Sequence, residues 1–238
     1  MNRRIRGRAW PALLLLGACL AALPAGLALA DPTDVPVEPR SQPPYPDWMS
    51  KLIGTLRQRD PAAILMGDSL VAGWPKDLAG TLFDAEPLNF GAGGDTTANL
   101  LWRVRNAFAP GMALRYALLL VGTNDLPKRS PDAIAATIGD ILSTIRADAP
   151  KACVTVVALL PRRDGGSAYA TKIRAINDRL RGMESPRVRV IDASAPLRER
   201  CPTTGPCDLY KDSVHLTRTG YELITDALRT AQQQHPCS

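Results

Sequence analysis

Short apolar runs alternate with amphipathic stretches along most of the chain, and this alternation restricts the possible folds more than any other feature. The apolar runs have the length of buried strands and lie at Ala62–Met66, Pro87–Phe90, Tyr116–Val121, Cys153–Leu159 and Val188–Ile191. The stretches between them repeat apolar residues at helical spacing, at Thr97–Ala107, Pro131–Arg146, Ala168–Met183 and Thr219–Gln233. The pattern predicts an α/β fold, a three-layer α/β/α sandwich with a five-stranded parallel sheet.

Length and charge limit the classes of partner. The formal charge of +6 is largely carried by residues 1–30, which contain four arginines and no acid, so the rest has 25 basic against 23 acidic residues. No basic run follows residue 30, and we therefore expect no nucleic-acid partner. With 238 residues, 45% of them apolar, the chain can bury a full core as one domain without a structural metal.

The first 30 residues have the pattern of a secretory signal peptide. A basic start, MNRRIRGR, precedes an apolar stretch over residues 12–29, and the ALA at residues 28–30 suits a signal peptidase. We expect an exported protein, periplasmic or secreted, cleaved before Asp31. A retained membrane span is disfavoured because prolines and a glycine interrupt the apolar stretch. Lipoprotein processing at Cys19 and a twin-arginine signal are weaker alternatives, since the sequence fits their motifs poorly.

The remaining chain divides into a tether and a domain. Residues 31–46 contain six prolines, which favours an extended tether, and residues 47–238 form the predicted folded domain.

Four cysteines remain after the signal peptide, an even number that suits an oxidising compartment. Cys201 and Cys207 bracket the turn-rich segment PTTGP, so we expect a disulfide between them. Cys153 and Cys237 are then a second disulfide or two thiols. The alternative is four free thiols in a reducing compartment.

Residues that directly follow the apolar runs are candidates for a site, because parallel strands bind ligands at their carboxyl ends. The first run leads into GDSL, where Ser69 lies on a turn from strand to helix that can expose its hydroxyl. The second leads into FGAGGDT, whose glycines let main-chain N–H groups approach an oxyanion and whose spacing does not fit a nucleotide. The third leads into GTND, where the amide of Asn124 can donate to an oxyanion without titrating. Asp68 and Asp125 are expected to fix turns.

A base for Ser69 is offered by the segment DSVH. Asp212 lies three residues before His215, so it can accept a hydrogen bond from Nδ1 and leave Nε2 free to take a proton. The chain has two histidines, and the other, His235, lies in the polar C-terminal tail. This scarcity, together with the lack of zinc-site spacings, argues against a zinc hydrolase, and we expect no metal and no cofactor.

The four segments, in this order, resemble the blocks of the GDSL, or SGNH, hydrolase superfamily. The stretch NFGAGGDTTANLLWRV is especially similar to its platelet-activating-factor acetylhydrolase-like esterase branch, and the resemblance covers residues 62–227. It implies a flavodoxin-like SGNH hydrolase fold and a catalytic set of Ser69, Asp212 and His215. It also implies an oxyanion hole made by the main-chain N–H groups of Ser69 and Gly94 and by the side chain of Asn124.

The resemblance implies a serine esterase or acylhydrolase that cleaves a short acyl ester, an acetylated carbohydrate or a lysophospholipid. An envelope O-acyltransferase would use the same site, and a noncatalytic binding module is a third, weaker alternative because every motif residue is present. Acyl length, the alcohol, oligomeric state and biological role are left open. Four aromatic residues are candidates either for the core or for a substrate platform: Trp74, Trp102, Tyr169 and Tyr210.

Overall fold

The computed structural model describes residues 45–201 and 206–237. These residues form five strands, β1 (Ala63–Gly67), β2 (Leu88–Gly91), β3 (Tyr116–Leu120), β4 (Cys153–Val157) and β5 (Val188–Ile191). They also form the helices α1 (Tyr45–Arg59), α2 (Ser69–Ala72), α3 (Lys76–Gly80), α4 (Thr97–Ala107), α5 (Pro131–Asp148), α6 (Gly166–Arg181), α7 (Ala195–Arg200) and α8 (Arg218–Gln234). The predicted signal peptide, Cys19 and most of the predicted tether lie outside the described residues.

The sheet is parallel throughout and has the order β2-β1-β3-β4-β5. In this order, β2 lies on one side of β1, and β3 lies on the other side of β1. Gly67 at the end of β1 pairs with Gly91 of β2 and with Leu120 of β3, so the three strands end level with one another. The loops that follow these strands consequently lie side by side, at the position where such sheets bind ligands.

Helices cover both faces of the sheet, which confirms the predicted α/β/α sandwich. Alternate side chains of each strand enter opposite cores: Ile64 and Met66 join the core beneath α1, α4, α5 and α6, whereas Leu65 joins the core beneath α2, α7 and α8. All of β1 is buried, as expected for a central strand between two helical layers.

The long helices begin where capping residues occur. The side chain of Ser130 accepts from the N–H of Ala133 at the start of α5, with Pro131 in the first turn, and Thr217 accepts from the N–H of Gly220 at the start of α8. Three helices were not predicted, namely α1, α3 and α7. The first begins at Tyr45, two residues before the predicted start of the domain.

The cysteines lie in two pairs at disulfide distance. The Cα atoms of Cys201 and Cys207 are 5.5 Å apart, and those of Cys153 and Cys237 are 5.9 Å apart. The second pair, which the sequence left open as either a disulfide or two thiols, is therefore a disulfide. Within the described ranges, no helix has both the length and the apolar character needed to cross a bilayer.

Candidate active site

Ser69 is the first residue of α2, directly after the turn that leaves β1. Asp68 caps this short helix, with Oδ1 accepting a hydrogen bond from the N–H of Leu70 at 2.9 Å. The end of β2 lies against the helix so closely that a Cβ on Gly91 would be 2.3 Å from the nitrogen of Ala72. This contact, together with the cap, sets the position of Ser69 at the carboxyl edge of the sheet.

The two predicted partners of Ser69 are next to it. Oγ of Ser69 lies 2.8 Å from Nε2 of His215, and Nδ1 of His215 lies 2.7 Å from Oδ2 of Asp212. The serine and the histidine are 146 residues apart in sequence. A hydroxyl, an imidazole and a carboxylate in this order can remove a proton from the hydroxyl and stabilise the resulting imidazolium.

Asp212 is held in its ionised form. Its Oδ1 accepts hydrogen bonds from the backbone N–H of His215 at 2.8 Å and from that of Val214 at 2.7 Å. The bond from His215 is the largest cause that lowers the pKa of Asp212 to about 2. The carboxylate is therefore charged at any pH near neutrality, and its second oxygen orients the imidazole.

The glycine loop is bonded to the β1 end of the site. The N–H of Ala92 donates to the carbonyl of Gly67 at 3.0 Å, and the N–H of Asp95 donates back to the carbonyl of Ala92 at 3.2 Å. Gly94, inside this turn, has a φ of 76°, which L side chains rarely adopt. Asn124 joins the same loop, because its Nδ2 donates to the carbonyl of Asp95 at 2.9 Å. The structure thus brings Asn124 next to the loop that contains Gly94.

A buried ion pair that was not predicted ties the loops together. The guanidinium of Arg103 donates to Asp95 at 2.8 Å and to the carbonyls of Gly67 and Phe90, at 2.9 and 2.5 Å. Both charged side chains are fully buried. One cation therefore links the end of β1, the end of β2 and the glycine loop. No local motif marks such an arginine, because its partners are brought together only by the fold.

A second buried network supports the GTND loop. Asp125 accepts from the N–H of Thr97 at 2.9 Å, from the hydroxyl of Thr97 at 2.8 Å and from Arg129 at 3.1 Å. Burial is the largest influence on this carboxyl and raises its pKa. The expectation that Asp125 fixes a turn agrees with these contacts.

Asp68 differs from the other carboxyls of the site. It is wholly buried, burial raises its pKa to about 7, and its Oδ2 has no hydrogen-bond partner among the described residues.

The aromatic candidates differ in how deeply they are buried. Trp74 and Tyr210 are buried, with the indole N–H of Trp74 donating to Thr225 at 3.2 Å and the hydroxyl of Tyr210 donating to the carbonyl of Pro161 at 3.0 Å. Trp102 and Tyr169 are half-buried. The first two are therefore core residues.

The sequence pattern of the GDSL-like Lipase/Acylhydrolase family matches residues 65–223, which include all four segments of the site. The chain belongs to this family. Membership in the GDSL-like family confirms the predicted resemblance and makes the chain an ester-cleaving enzyme of the GDSL type.

One relative agrees with this assignment, and two solved structures share the fold. The platelet-activating factor acetylhydrolase IB subunit alpha1 of Rattus norvegicus is 30% identical over 190 residues, which cover 77% of this chain and 81% of that protein. A GDSL-like lipase from Bacteroides thetaiotaomicron superposes with a TM-score of 0.62 at 16% identity, covering 80% of this chain and 98% of that one. A carbohydrate esterase family 3 protein from Talaromyces cellulolyticus has a TM-score of 0.54 at 18% identity, and the match covers 72% of this chain and 96% of that one. At these identities, the two structures support the fold alone.

Proposed function

We propose that the protein is an exported serine esterase that cleaves a carboxylic ester through an acyl intermediate on Ser69. Oγ of Ser69 attacks the carbonyl carbon while Nε2 of His215 takes the hydroxyl proton. The bond to the alcohol then breaks, and His215 returns the proton to the departing oxygen. A water molecule then attacks the carbonyl carbon of the acyl group on Ser69, with His215 again taking and returning the proton, and the acid is released. The observation that carries the proposal is the continuous chain of contacts, 2.8 Å and 2.7 Å, from Ser69 through His215 to Asp212.

The oxyanion of the tetrahedral intermediate is the second part of the proposal. The main-chain N–H groups of Ser69 and Gly94 and the side chain of Asn124 would donate to it. Support comes from the sheet order, in which the loops after β2 and β3 flank Ser69, and from the bond that joins Asn124 to the glycine loop. Loss of the Asn124 side chain is expected to reduce kcat by about 10²–10³-fold.

The proposed substrate is a short acyl ester, with an acetyl group as the first choice. Support comes from the 30% identical relative, whose name is that of an acetylhydrolase. An acetylated carbohydrate and a lysophospholipid are the other members of the substrate class. A panel of p-nitrophenyl esters of increasing acyl length tests this choice, and a maximum at acetate or propionate is expected. A maximum at long chains would contradict it.

Export is part of the same proposal. The leader pattern supports it, as do the two pairs of cysteines at disulfide distance, because disulfides persist in oxidising compartments. The mature protein, isolated from cells that express the full chain, is expected to begin at Asp31. An intact N-terminus on the active protein would contradict export through a cleaved signal.

The mechanism is tested by replacing the nucleophile. Ser69→Ala is expected to lower turnover by about 10⁴-fold or more and to leave thermal unfolding unchanged. The matched control is Ser143→Ala, since Ser143 is an exposed serine on α5. Full turnover by the Ser69 variant would refute the mechanism. Supplying an oligosaccharide in the same assay tests the acyltransferase alternative, because acyl-sugar formed in place of free acid would show transfer to a hydroxyl.

A further inference from the structure

The segment between β4 and α6 contacts two of the loops that form the site. Nη1 of Arg162 donates to the carbonyl of Thr123, in the GTND loop, at 2.9 Å. The backbone N–H of the next residue, Arg163, donates to the carbonyl of Ser213, in the DSVH loop, at 2.8 Å. Residues from this segment therefore connect the half of the site that contains Asn124 with the half that contains His215.

Arg162 is held rigidly in this position. Its Nε and Nη2 donate to the two oxygens of Asp164, at 2.7 and 2.6 Å, which is the paired geometry that a guanidinium and a carboxylate prefer. Its guanidinium carbon lies 5.1 Å from the centre of the Tyr169 ring, and only 12% of its side chain is exposed. A preorganised cation of this kind holds its hydrogen-bond partners in place at little further entropic cost.

The carbonyl that Arg162 holds belongs to the peptide unit that leads into Asn124. Because a peptide unit is planar, fixing the oxygen of Thr123 also fixes the nitrogen and the Cα atom of Asn124, which is the point from which its side chain leaves the backbone. The side chain has two N–H donors. One of them bonds to the carbonyl of Asp95 at 2.9 Å, which leaves the other for an oxyanion.

We propose that Arg162 is a positioning residue that sets the amide of Asn124 for the oxyanion through the carbonyl of Thr123. The inference rests on the function proposed above, since it assumes that Asn124 donates to the intermediate. Arg162 itself is not a catalytic residue in this account, because its donors are directed at Asp164 and Thr123. Its removal would let the peptide unit rotate, and an error of about 1 Å in a catalytic group can cost about 100-fold in rate.

A double-mutant cycle between Arg162→Met and Asn124→Ala tests the proposal. In the otherwise unchanged enzyme, Arg162→Met is expected to lower kcat by about 10- to 100-fold, with KM changed less than about twofold. In the Asn124→Ala enzyme, the same change is expected to cost less than about threefold, because the group it positions is already gone. Equal losses in both backgrounds would overturn the proposal, since they would show a role independent of Asn124. So would an unchanged kcat in Arg162→Met.

The control is Arg179→Met, which removes another arginine that is ion-paired with an aspartate, Asp132, on the surface at 2.5 Å. It is expected to leave kcat unchanged.

If Arg162→Met does not fold, Arg162→Lys and Asp164→Asn enter the same cycle. Each is expected to lower kcat in the otherwise unchanged enzyme and to lower it by less than about threefold in the Asn124→Ala enzyme, and equal losses in both backgrounds would again overturn the proposal. Ser69→Ala separates the two hypotheses: an active Ser69 variant refutes the mechanism, whereas an inactive one with an additive cycle refutes only the role of Arg162.

Discussion

At the scale of single residues, the carboxyl of Asp68 combines complete burial with a position next to Ser69. Burial raises its pKa to about 7, whereas an aspartate in an unfolded chain titrates near 3.9. Between these values the folded protein keeps a proton that the unfolded chain has released. The contribution of the protonated Asp68 carboxyl to the free energy of unfolding is therefore fully present below about pH 4 and is lost as the pH rises through 7.

Asp68→Asn is expected to remove this pH dependence. Between pH 4 and pH 8, the free energy of unfolding of the unaltered protein should fall, relative to that of the variant, by an amount on the order of a few kcal/mol. Urea unfolding at a series of pH values measures the difference. Asp140→Asn, at an exposed aspartate on α5, is the control and should give a curve parallel to that of the unaltered protein. A parallel curve for Asp68→Asn would contradict the assignment.

A second prediction concerns the acid limb of the rate profile. His215 must be neutral to accept the proton of Ser69, so kcat/KM is expected to fall on acidification. Since the pKa of Asp212 is held at about 2, its carboxylate does not titrate above about pH 4, and a fall above that pH is not caused by protonation of Asp212. Asp212→Asn should lower the rate by about 10³–10⁴-fold across the range. A flat profile from acid to alkaline pH would be inconsistent with His215 as the base.

The residues that sequence reasoning located have a common property. Ser69, Gly94 and Asn124 each follow a buried strand, so strand prediction alone places them at one edge of the sheet. Arg103 does not follow a strand. It lies inside a helical pattern, where an arginine ordinarily faces solvent, and its burial depends on an aspartate and two carbonyls that only the folded chain assembles. Arg162 lies between β4 and α6 and was not singled out, because its contact with the carbonyl of Thr123 forms only in the folded chain.

At the scale of elements, the position of α2 depends on its contact with the end of β2. A Cβ on Gly91 would lie 2.3 Å from the backbone nitrogen of Ala72 and 2.7 Å from its Cα. Gly91→Ala is therefore expected to push α2 away from the sheet, to destabilise the protein by about 1–3 kcal/mol and to lower kcat by about 100-fold. Gly54→Ala is the control.

The control glycine, Gly54, lies within α1, and a Cβ there meets nothing within 4 Å. Its replacement should stabilise the helix slightly, by about 0.5–1 kcal/mol, without affecting the rate. Chemical unfolding and steady-state kinetics measure both effects. Retention of full activity and stability by Gly91→Ala would show that α2 is not fixed by this contact.

The strands were easier to predict than the helices. Each predicted strand matches an observed one because an apolar run of this length has few alternatives in an α/β chain. The helix α1 was missed because prolines precede it and its buried positions, Met49 and Leu56, are seven residues apart with mixed residues between them. The short helices α3 and α7 have too few turns to show a periodic pattern.

At the scale of the whole molecule, the Cys153–Cys237 disulfide connects the start of β4 with the residues that follow α8. The two cysteines of this pair are 84 positions apart in the sequence, compared with six for Cys201 and Cys207. On the chain-entropy argument, the long loop contributes about 4–5 kcal/mol to stability and the short one about 2 kcal/mol. Replacing both members of each pair with alanine should reproduce this order in equilibrium unfolding. A larger loss from the Cys201 and Cys207 pair would contradict it.

The overall topology brings the proposed catalytic residues to one edge of the molecule. The order β2-β1-β3 puts the loops after β2 and β3 on either side of Ser69, and α8 begins three residues after His215 on the face that packs against β1 and α2. The sequence predicted the layers and this edge. It did not predict the two buried ion-pair networks beneath the edge, since these connect residues separated by tens of positions only after the sheet has formed.

In the proposed mechanism, Ser69 is a nucleophile activated by His215. Incubation with a fluorophosphonate, followed by peptide mass spectrometry, tests it directly, because such reagents phosphonylate an activated serine and leave ordinary hydroxyls unmodified. We expect a single adduct, on the peptide that contains Ser69, formed at least about 100-fold more slowly in His215→Ala. An adduct on a different residue, or equal labelling in the His215 variant, would refute activation of Ser69 by His215.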